Sequence, residues 1–236
     1  MVRRWVVWVA IVMAILVFAG AGGVYQLMNA RTFQLAGRLV DRVATEDRVV
    51  ALTFDDGPTD RTPEVLAMLS AAGVRATFYL NGRDLQRYPQ HGRAIAAAGH
   101  ELGNHTYSHR RMVLVSPATV ADEVERTDAE IRATGYSEPI TFRPPYGKKL
   151  WTLPHYLAEH DRTTVMWDVE PDSADTADAN AMVTAAVDAV RPGSIVLLHV
   201  MAESRGASRA AVPGLIAELR GRGYEFVTVS ELLQRN

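Results

Sequence analysis

No cysteine occurs among the 236 residues, so the chain has no disulfide frame, no thiolate metal site and no cysteine nucleophile. Any metal must be held by His, Asp or Glu. Charge of one sign is not in excess either. The 25 Lys and Arg are matched by 27 Asp and Glu, for a formal net charge of -2. A nucleic-acid partner favours a clustered basic surplus, so no nucleic acid is expected. No Gly-x-Gly-x-x-Gly follows an apolar run, which leaves a dinucleotide site without support. Repeats of fixed period and low-complexity tracts are also lacking. What remains is an ordinary globular composition, 48% hydrophobic and 22% charged, with room for one sizeable core.

The N-terminus departs from that average. Arg3 and Arg4 precede a stretch from Trp5 to Phe18 without a single charge, and the apolar character thins only gradually toward Met28. Trp5 to Met28 reaches the roughly 20 residues that a bilayer-spanning helix needs. Residues 1–29 are therefore read as a signal anchor. A cleavable signal peptide ending at Ala19, Gly20 and Ala21 is the alternative, and continuation of the apolar stretch past those residues favours the anchor. Both readings put the rest of the chain outside the cytoplasmic membrane with the basic end inside, single-pass in one case and secreted in the other. Residues 30–47 are polar and mixed, and are read as a linker; residues 48–236 are read as one catalytic domain.

Beyond residue 48, short apolar runs alternate with helical spacing. Strands are expected at Val49–Phe54, Ala76–Leu80, Glu101–His105, Ile140–Phe142, Thr163–Trp167, Ser194–Leu198 and Phe226–Val229. Helices are expected at Pro63–Ala72, Pro89–Ala98, Pro117–Thr134, Leu153–Glu159, Asp178–Val190 and Arg209–Arg222. Near-continuous apolar strands, each followed by a helix, indicate an α/β fold with a parallel sheet covered on its faces. Six or seven such units predict a barrel, with an open doubly wound sheet as the alternative.

The downstream ends of these strands carry Asp55 and Asp56, Asn81, His105, Arg143, Asp168 and Glu170, and His199. In a parallel barrel those ends share the face on which active sites are built. His105 and His109 are four apart, which on a helical turn places both imidazoles on one side. Two imidazoles and a carboxylate make a three-ligand metal site with open positions. His91, His155 and His160 lie in polar helical stretches and read as surface residues; His100 has no assigned role, and His199 is a buried structural or a catalytic histidine. Asp55 and Asp56 are like charges side by side, each resisting ionisation unless something positive is close. A cation beside Asp56 and a guanidinium beside Asp55 would hold both ionised, one to ligate metal and the other to take a proton from water.

As a set, TFDDGP at Thr53–Pro58, HTYSH at His105–His109, RPPYG at Arg143–Gly147 and LLH at Leu197–His199 resemble the motifs of the NodB-like polysaccharide deacetylases, in order and approximate spacing. ATFYLNG at Ala76–Gly82 and GHELGNH at Gly99–His105 are similar to that family's linking segments, and the resemblance covers roughly Val49 to Leu233. It implies a distorted (β/α) barrel that removes acetyl groups from N-acetylated sugars with one divalent ion, zinc first, with cobalt, nickel or manganese as alternatives. It further implies Asp55 as general base, with Asp56, His105 and His109 as metal ligands and Arg143 holding Asp55. The backbone amide of Tyr146 would stabilise the oxyanion, His199 would be the general acid, and Leu197 would line the pocket for the acetyl methyl. In WDVEPDSAD, Trp167 to Asp175, Glu170 stands where the acid supporting His199 is expected, with Asp168 and Asp172 as alternatives. The pocket tryptophan of that motif is missing at its expected place.

The expected function is thus a metal-dependent hydrolase acting on an N-acetylglucosamine-containing polysaccharide such as peptidoglycan, a chitin-like oligomer or an exopolysaccharide. An anchored glycan-binding module with its chemistry lost and an O-acetyl esterase on the same scaffold are the alternatives. Two histidines and one carboxylate alone also fit a non-haem iron oxygenase. The βα alternation and the second Asp beside the ligand argue against that reading.

Overall fold

The structure is a computed structural model and describes residues 2–173 and 178–235. Ala174 and Asp175, the tail of the WDVEPDSAD stretch, lie outside the described residues.

The elements run α1 (Val2–Asn29), β1 (Leu39–Val40), β2 (Val49–Asp55), α2 (Thr62–Ala72), β3 (Thr77–Leu80), α3 (Gly82–Arg87), α4 (Pro89–Ala97) and β4 (Glu101–Asn104). They continue with α5 (Pro117–Ala133), α6 (Thr152–Glu159), β5 (Thr164–Val165), α7 (Ala179–Ala189), β6 (Ser194–Leu198), α8 (Gly206–Gly221), β7 (Glu225–Val227) and α9 (Val229–Leu233). Caps set several boundaries. Ser116 accepts from Thr119 N ahead of Pro117 in α5. Gly73, at φ 58°, ends α2, where only glycine takes a left-handed backbone without strain. Thr228 and Glu231 form a reciprocal capping box at the start of α9.

Among the described residues the strand pairs are parallel, and one isolated bridge, Arg42 to Ser194, is antiparallel. β4, β3, β2 and β6 lie side by side in that order, and β7 also pairs with the first half of β2. The sheet curls on through single-residue parallel bridges: Asn104 to Phe142, Phe142 to Thr164 of β5, and Val169 to Val196 of β6. The curl is thus continued through isolated contacts rather than full ladders, an arrangement consistent with a distorted barrel.

β2 shows why the strands are so apolar. Every one of its seven residues is buried. With a side-chain period of two, Val50, Leu52 and Phe54 pack outward under the helices with Phe78, Leu80, Val196 and Leu198. Val49 and Ala51 belong to a second cluster with Tyr79, Val165, Met166, Trp167, Ile195 and Leu197, inside the curl. The inward file of β2 therefore runs 49, 51, 53, 55 and turns polar at its downstream end, with Thr53 and Asp55.

Some expectations differ from the structure. The 30–47 stretch is not a free linker: β1 pairs with β5, Val43 is a core residue, and Val43 N donates to Gly193 O at 3.0 Å. A polar average hid this contribution, because the apolar residues that join the core cluster are few: Leu39, Val40 and Val43. Ile140–Phe142 forms no strand; Phe142 alone bridges its two neighbours. α3 follows β3 directly, six residues too few to show a helical period.

Candidate active site

The DDGP turn ends β2 with its two carboxylates pointing differently. Asp55 continues the inward file and is buried, whereas Asp56 sits at φ 76° and turns toward the open face. Left-handed backbone is uncommon outside glycine and marks a position held by its surroundings, here by Asp56 N donating to Tyr79 O at 3.1 Å.

Arg143 meets Asp55 inside the curl of the sheet. Its Nη1 donates to Asp55 Oδ1 at 2.7 Å and to Thr53 Oγ1 at 2.8 Å, while Nε and Nη2 donate to the carbonyls of Val165 and Met166. The guanidinium also lies 4.1 Å from the Tyr79 ring centroid. A buried charge is tolerable when it is both paired and hydrogen-bonded, and Arg143 is both. Tyr79 has its own constraint: its ring fills the space above Gly103 on β4, where any Cβ would collide with it.

His105 and His109 converge on Asp56, but not through a helix. Residues 105–111 are a loop, with Thr106 and His109 at φ 67° and 59°. The four-residue spacing holds because the loop is stapled at several points. Asn81 Nδ2 donates to His105 O, Asn104 Oδ1 accepts from Thr106 N, and Glu123 accepts from both the backbone N and the Oγ of Ser108. His105 Nδ1 lies 2.7 Å from Arg143 O, which commits that nitrogen and turns Nε2 toward the carboxylates. Nε2 is 3.7 Å from Asp55 Oδ2 and 4.0 Å from Asp56 Oδ1. His109 Nε2 is 3.2 Å from the same Asp56 oxygen. Donor atoms of Asp56, His105 and His109 all lie within 4.8 Å of one another. Burial, reinforced by the neighbouring His105, lowers the pKa of His109 and so favours the neutral imidazole that a metal ligand requires.

His199, just past β6, faces this group from the other side. Its backbone N donates to Asp172 Oδ2 at 2.7 Å, its Nδ1 is 3.3 Å from Asp172 Oδ1, and Ser208 Oγ also donates to Asp172. Burial by itself would depress the His199 pKa. The hydrogen bond to Asp172 and the charges of Asp55, Asp172 and Asp56 outweigh it and raise the value to about 8. Burial likewise pushes Asp172 up, but its bonds to His199 win and hold it below the usual carboxylate range.

The acids of the WDVEPD stretch therefore have three distinct partners. Asp168 accepts from Ser194 Oγ and Ile195 N and ties down the start of β6. Glu170, expected to support His199, instead accepts from Arg31 Nη2 at 2.9 Å and from Trp167 Nε1 at 2.8 Å. Asp172 is the acid on His199. Three carboxylates at alternate positions look alike in a sequence; only the turn after Val169 separates them. A tryptophan does line the groove, and it is Trp167.

These residues form an open groove of about 280 Å³ lined by Asp55, Asp56, His105, His109, Tyr146 and His199, with Trp167, Glu170, Arg31 and Arg205 at its edge. Tyr146 is exposed at φ 60°, its ring 4.7 Å from that of His109. Leu197 is not on the groove surface; it is buried in the interior cluster with Met166 and Trp167. Sequence reasoning missed Arg31 and Arg205, since neither stands at a strand end. Larger cavities at the opposite end of the strands, around His100 and Tyr136, hold none of the converging groups.

A family profile described as Polysaccharide deacetylase matches residues 42–165. The peptidoglycan-N-acetylglucosamine deacetylase of Bacillus cereus is 34% identical over 215 residues, covering 88% of this chain and 99% of that protein. Among solved structures, the Bc1960 peptidoglycan N-acetylglucosamine deacetylase superposes with a TM-score of 0.80 at 30% identity, covering 85% of this chain and 94% of the other. BA3943 from Bacillus anthracis, a CE4 family pseudoenzyme, superposes at 0.77 with 25% identity, covering 85% and 70%.

Proposed function

The chain belongs to the polysaccharide deacetylase family, and from that premise we propose that it hydrolyses the N-acetyl groups of an N-acetylglucosamine-containing cell-wall glycan. The observation that carries this reading is the single groove in which Asp55, fixed by Arg143, faces the Asp56–His105–His109 cluster, with His199 close by.

Asp56, His105 and His109 suit one divalent ion. Two imidazoles and one carboxylate, with the second nitrogen of His105 already engaged, form a donor set suited to zinc, and cobalt, nickel or manganese tolerate it too. Such an ion, when bound, polarises a carbonyl oxygen and lowers the pKa of water from 15.7 to about 7.

The remaining chemistry belongs to the chain. Asp55 accepts the proton of the attacking water as its oxygen bonds to the amide carbon, and Arg143 keeps that carboxylate in place. The backbone N–H of Tyr146 donates to the oxyanion. His199, its Nδ1 engaged by Asp172, delivers a proton from Nε2 to the departing nitrogen as the C–N bond breaks, leaving acetate and a free amine. A pKa of about 8 keeps His199 protonated at neutral pH, as an acid must be.

α1, whose segment Trp5–Asn29 has a mean hydropathy of 2.4 and, among the described residues, none buried, serves as a signal anchor holding this domain outside the cytoplasmic membrane. Acetate release from peptidoglycan and chitin oligomers by the full chain, with each metal and with a chelator, tests the activity. Running acetyl esters beside the amides separates an esterase. Glycan binding without any acetate release overturns the reading in favour of a module like the pseudoenzyme.

A further inference from the structure

The last residues of α1 are bonded to the segment that follows Tyr146 of the groove. Lys149 N donates to Met28 O at 3.2 Å, the Lys149 ammonium donates to Ala30 O, and the Lys148 ammonium bonds Asn29 Oδ1. Arg31, two residues past the end of α1, pairs with Glu170 and lies 4.7 Å over the Trp167 ring, both at the groove. Two residues span at most about 7 Å, so no slack separates the helix end from the site. At 1.5 Å per residue, the 25 residues of Trp5–Asn29 extend about 37 Å, against a hydrocarbon thickness of about 30 Å. The bilayer boundary therefore falls within a turn or two of Asn29.

The surface around this exit is unlike the rest of the domain. Among the described residues outside α1, the exposed large apolar side chains are Phe33, Leu35, Leu114, Tyr146 and Trp151. Phe33 and Leu35 follow the anchor directly. Tyr146 and Trp151 flank the two lysines that grip it, and Leu114 belongs to the neighbouring segment, joined to theirs by the Met112–Lys149 bridge and by Thr152 Oγ1 donating to Val115 O. Leu114 is 89% exposed and Trp151 62%, the latter stacked on His155 at 4.2 Å. Residues 108–118 and 143–152 include exposed Arg110 and Arg111, and Lys148, with no Asp or Glu. Aromatic rings with basic neighbours and no acids are the composition of a membrane interface.

We infer that this rim rests in the headgroup layer of the bilayer that α1 crosses, so that the groove opens along the membrane surface and meets its glycan there. The inference rests on α1 being a membrane span, and its partner is the lipid surface itself.

Absence of cysteine makes the test direct. Single nitroxide labels at Leu114→Cys, Trp151→Cys, Ser137→Cys and Val17→Cys are placed in the full chain and reconstituted into phosphatidylcholine–phosphatidylglycerol vesicles. Ser137 lines the cavity at the opposite end of the strands. The expected result is loss of relaxation by a water-soluble nickel chelate at 114 and 151, alongside 17, with full relaxation at 137. Protection at 17 with 114 and 151 as accessible as 137 overturns the membrane contact and leaves the span intact. Accessibility at 17 overturns both. Acetate release from a soluble N-acetylglucosamine oligomer, measured on the same vesicles, reports on the hydrolase reading independently: release with exposed rim labels refutes only the contact, and protected labels without release refute only the chemistry.

Discussion

Arg143 Nη1 stands 2.7 Å from Asp55 Oδ1, and both side chains are buried. A pair of this kind is costly to break from one side, because the survivor is left as an uncompensated buried charge. Arg143→Met is expected to destabilise the domain by about 3–5 kcal/mol. Asp55→Asn on the Arg143→Met background should restore part of the loss, since the orphaned charge is gone. Urea unfolding of the three variants checks both expectations; an additive double variant would contradict them. In the otherwise unaltered chain, Asp55→Asn should lower turnover about 100-fold to 10,000-fold while bound metal persists.

Metal content separates the ligands from their supports. Asp56→Ala and His109→Ala should each abolish the single divalent ion per chain read by elemental analysis. The Glu123 carboxylate reaches Ser108, beside His109, and holds the loop by two hydrogen bonds. Its replacement by Ala is expected to weaken metal affinity about 10-fold to 100-fold, the usual cost of losing an outer support, as seen by competition with a chelator.

The pH profile distinguishes Asp172 from Glu170. A proton donor with a pKa raised to about 8 is loaded below that value, so turnover should fall as pH climbs through it. Asp172→Asn removes the largest of the raising influences, and the basic limb should move to lower pH with a reduced kcat. Glu170→Gln leaves the Asp172–His199 contacts intact and should keep that limb in place, acting instead on KM through Arg31 and Trp167. Identical profiles for the two variants would sink the assignment.

Lys149 holds the end of α1 from within the protein, and burial lowers its pKa to about 8. A lysine that loses its proton more readily when folded makes the unfolded chain the better proton binder between about 8 and its ordinary 10.5. Its effect therefore favours the folded state as pH rises through that window. Lys149→Ala should release the Ala30–Arg31 segment, and trypsin cleavage after Arg31 should accelerate relative to cleavage at exposed Arg110.

Much of this was legible beforehand because the motifs stand at strand ends, and strand ends of a parallel sheet converge. VVALTFDD announces a buried strand with a charged tip, and His199 follows an apolar run of the same kind, SIVLL. What stayed hidden depends on backbone turns and on distant chain. The left-handed residues 106 and 109 bring two histidines together through a loop, where spacing alone suggested a helix. The turn after Val169 hands His199 to Asp172 and not to Glu170. Arg31 reaches Glu170 across 139 positions, a contact no local pattern encodes.

Gly103 lies a strand beyond Tyr79, and its missing side chain is what lets that phenol lie flat beneath the guanidinium of Arg143. A methyl group introduced there would shove the ring, the ring would tilt the arginine, and the aspartate would lose its alignment. The hydrolytic centre can thus be silenced from a position that touches neither ion, water nor sugar.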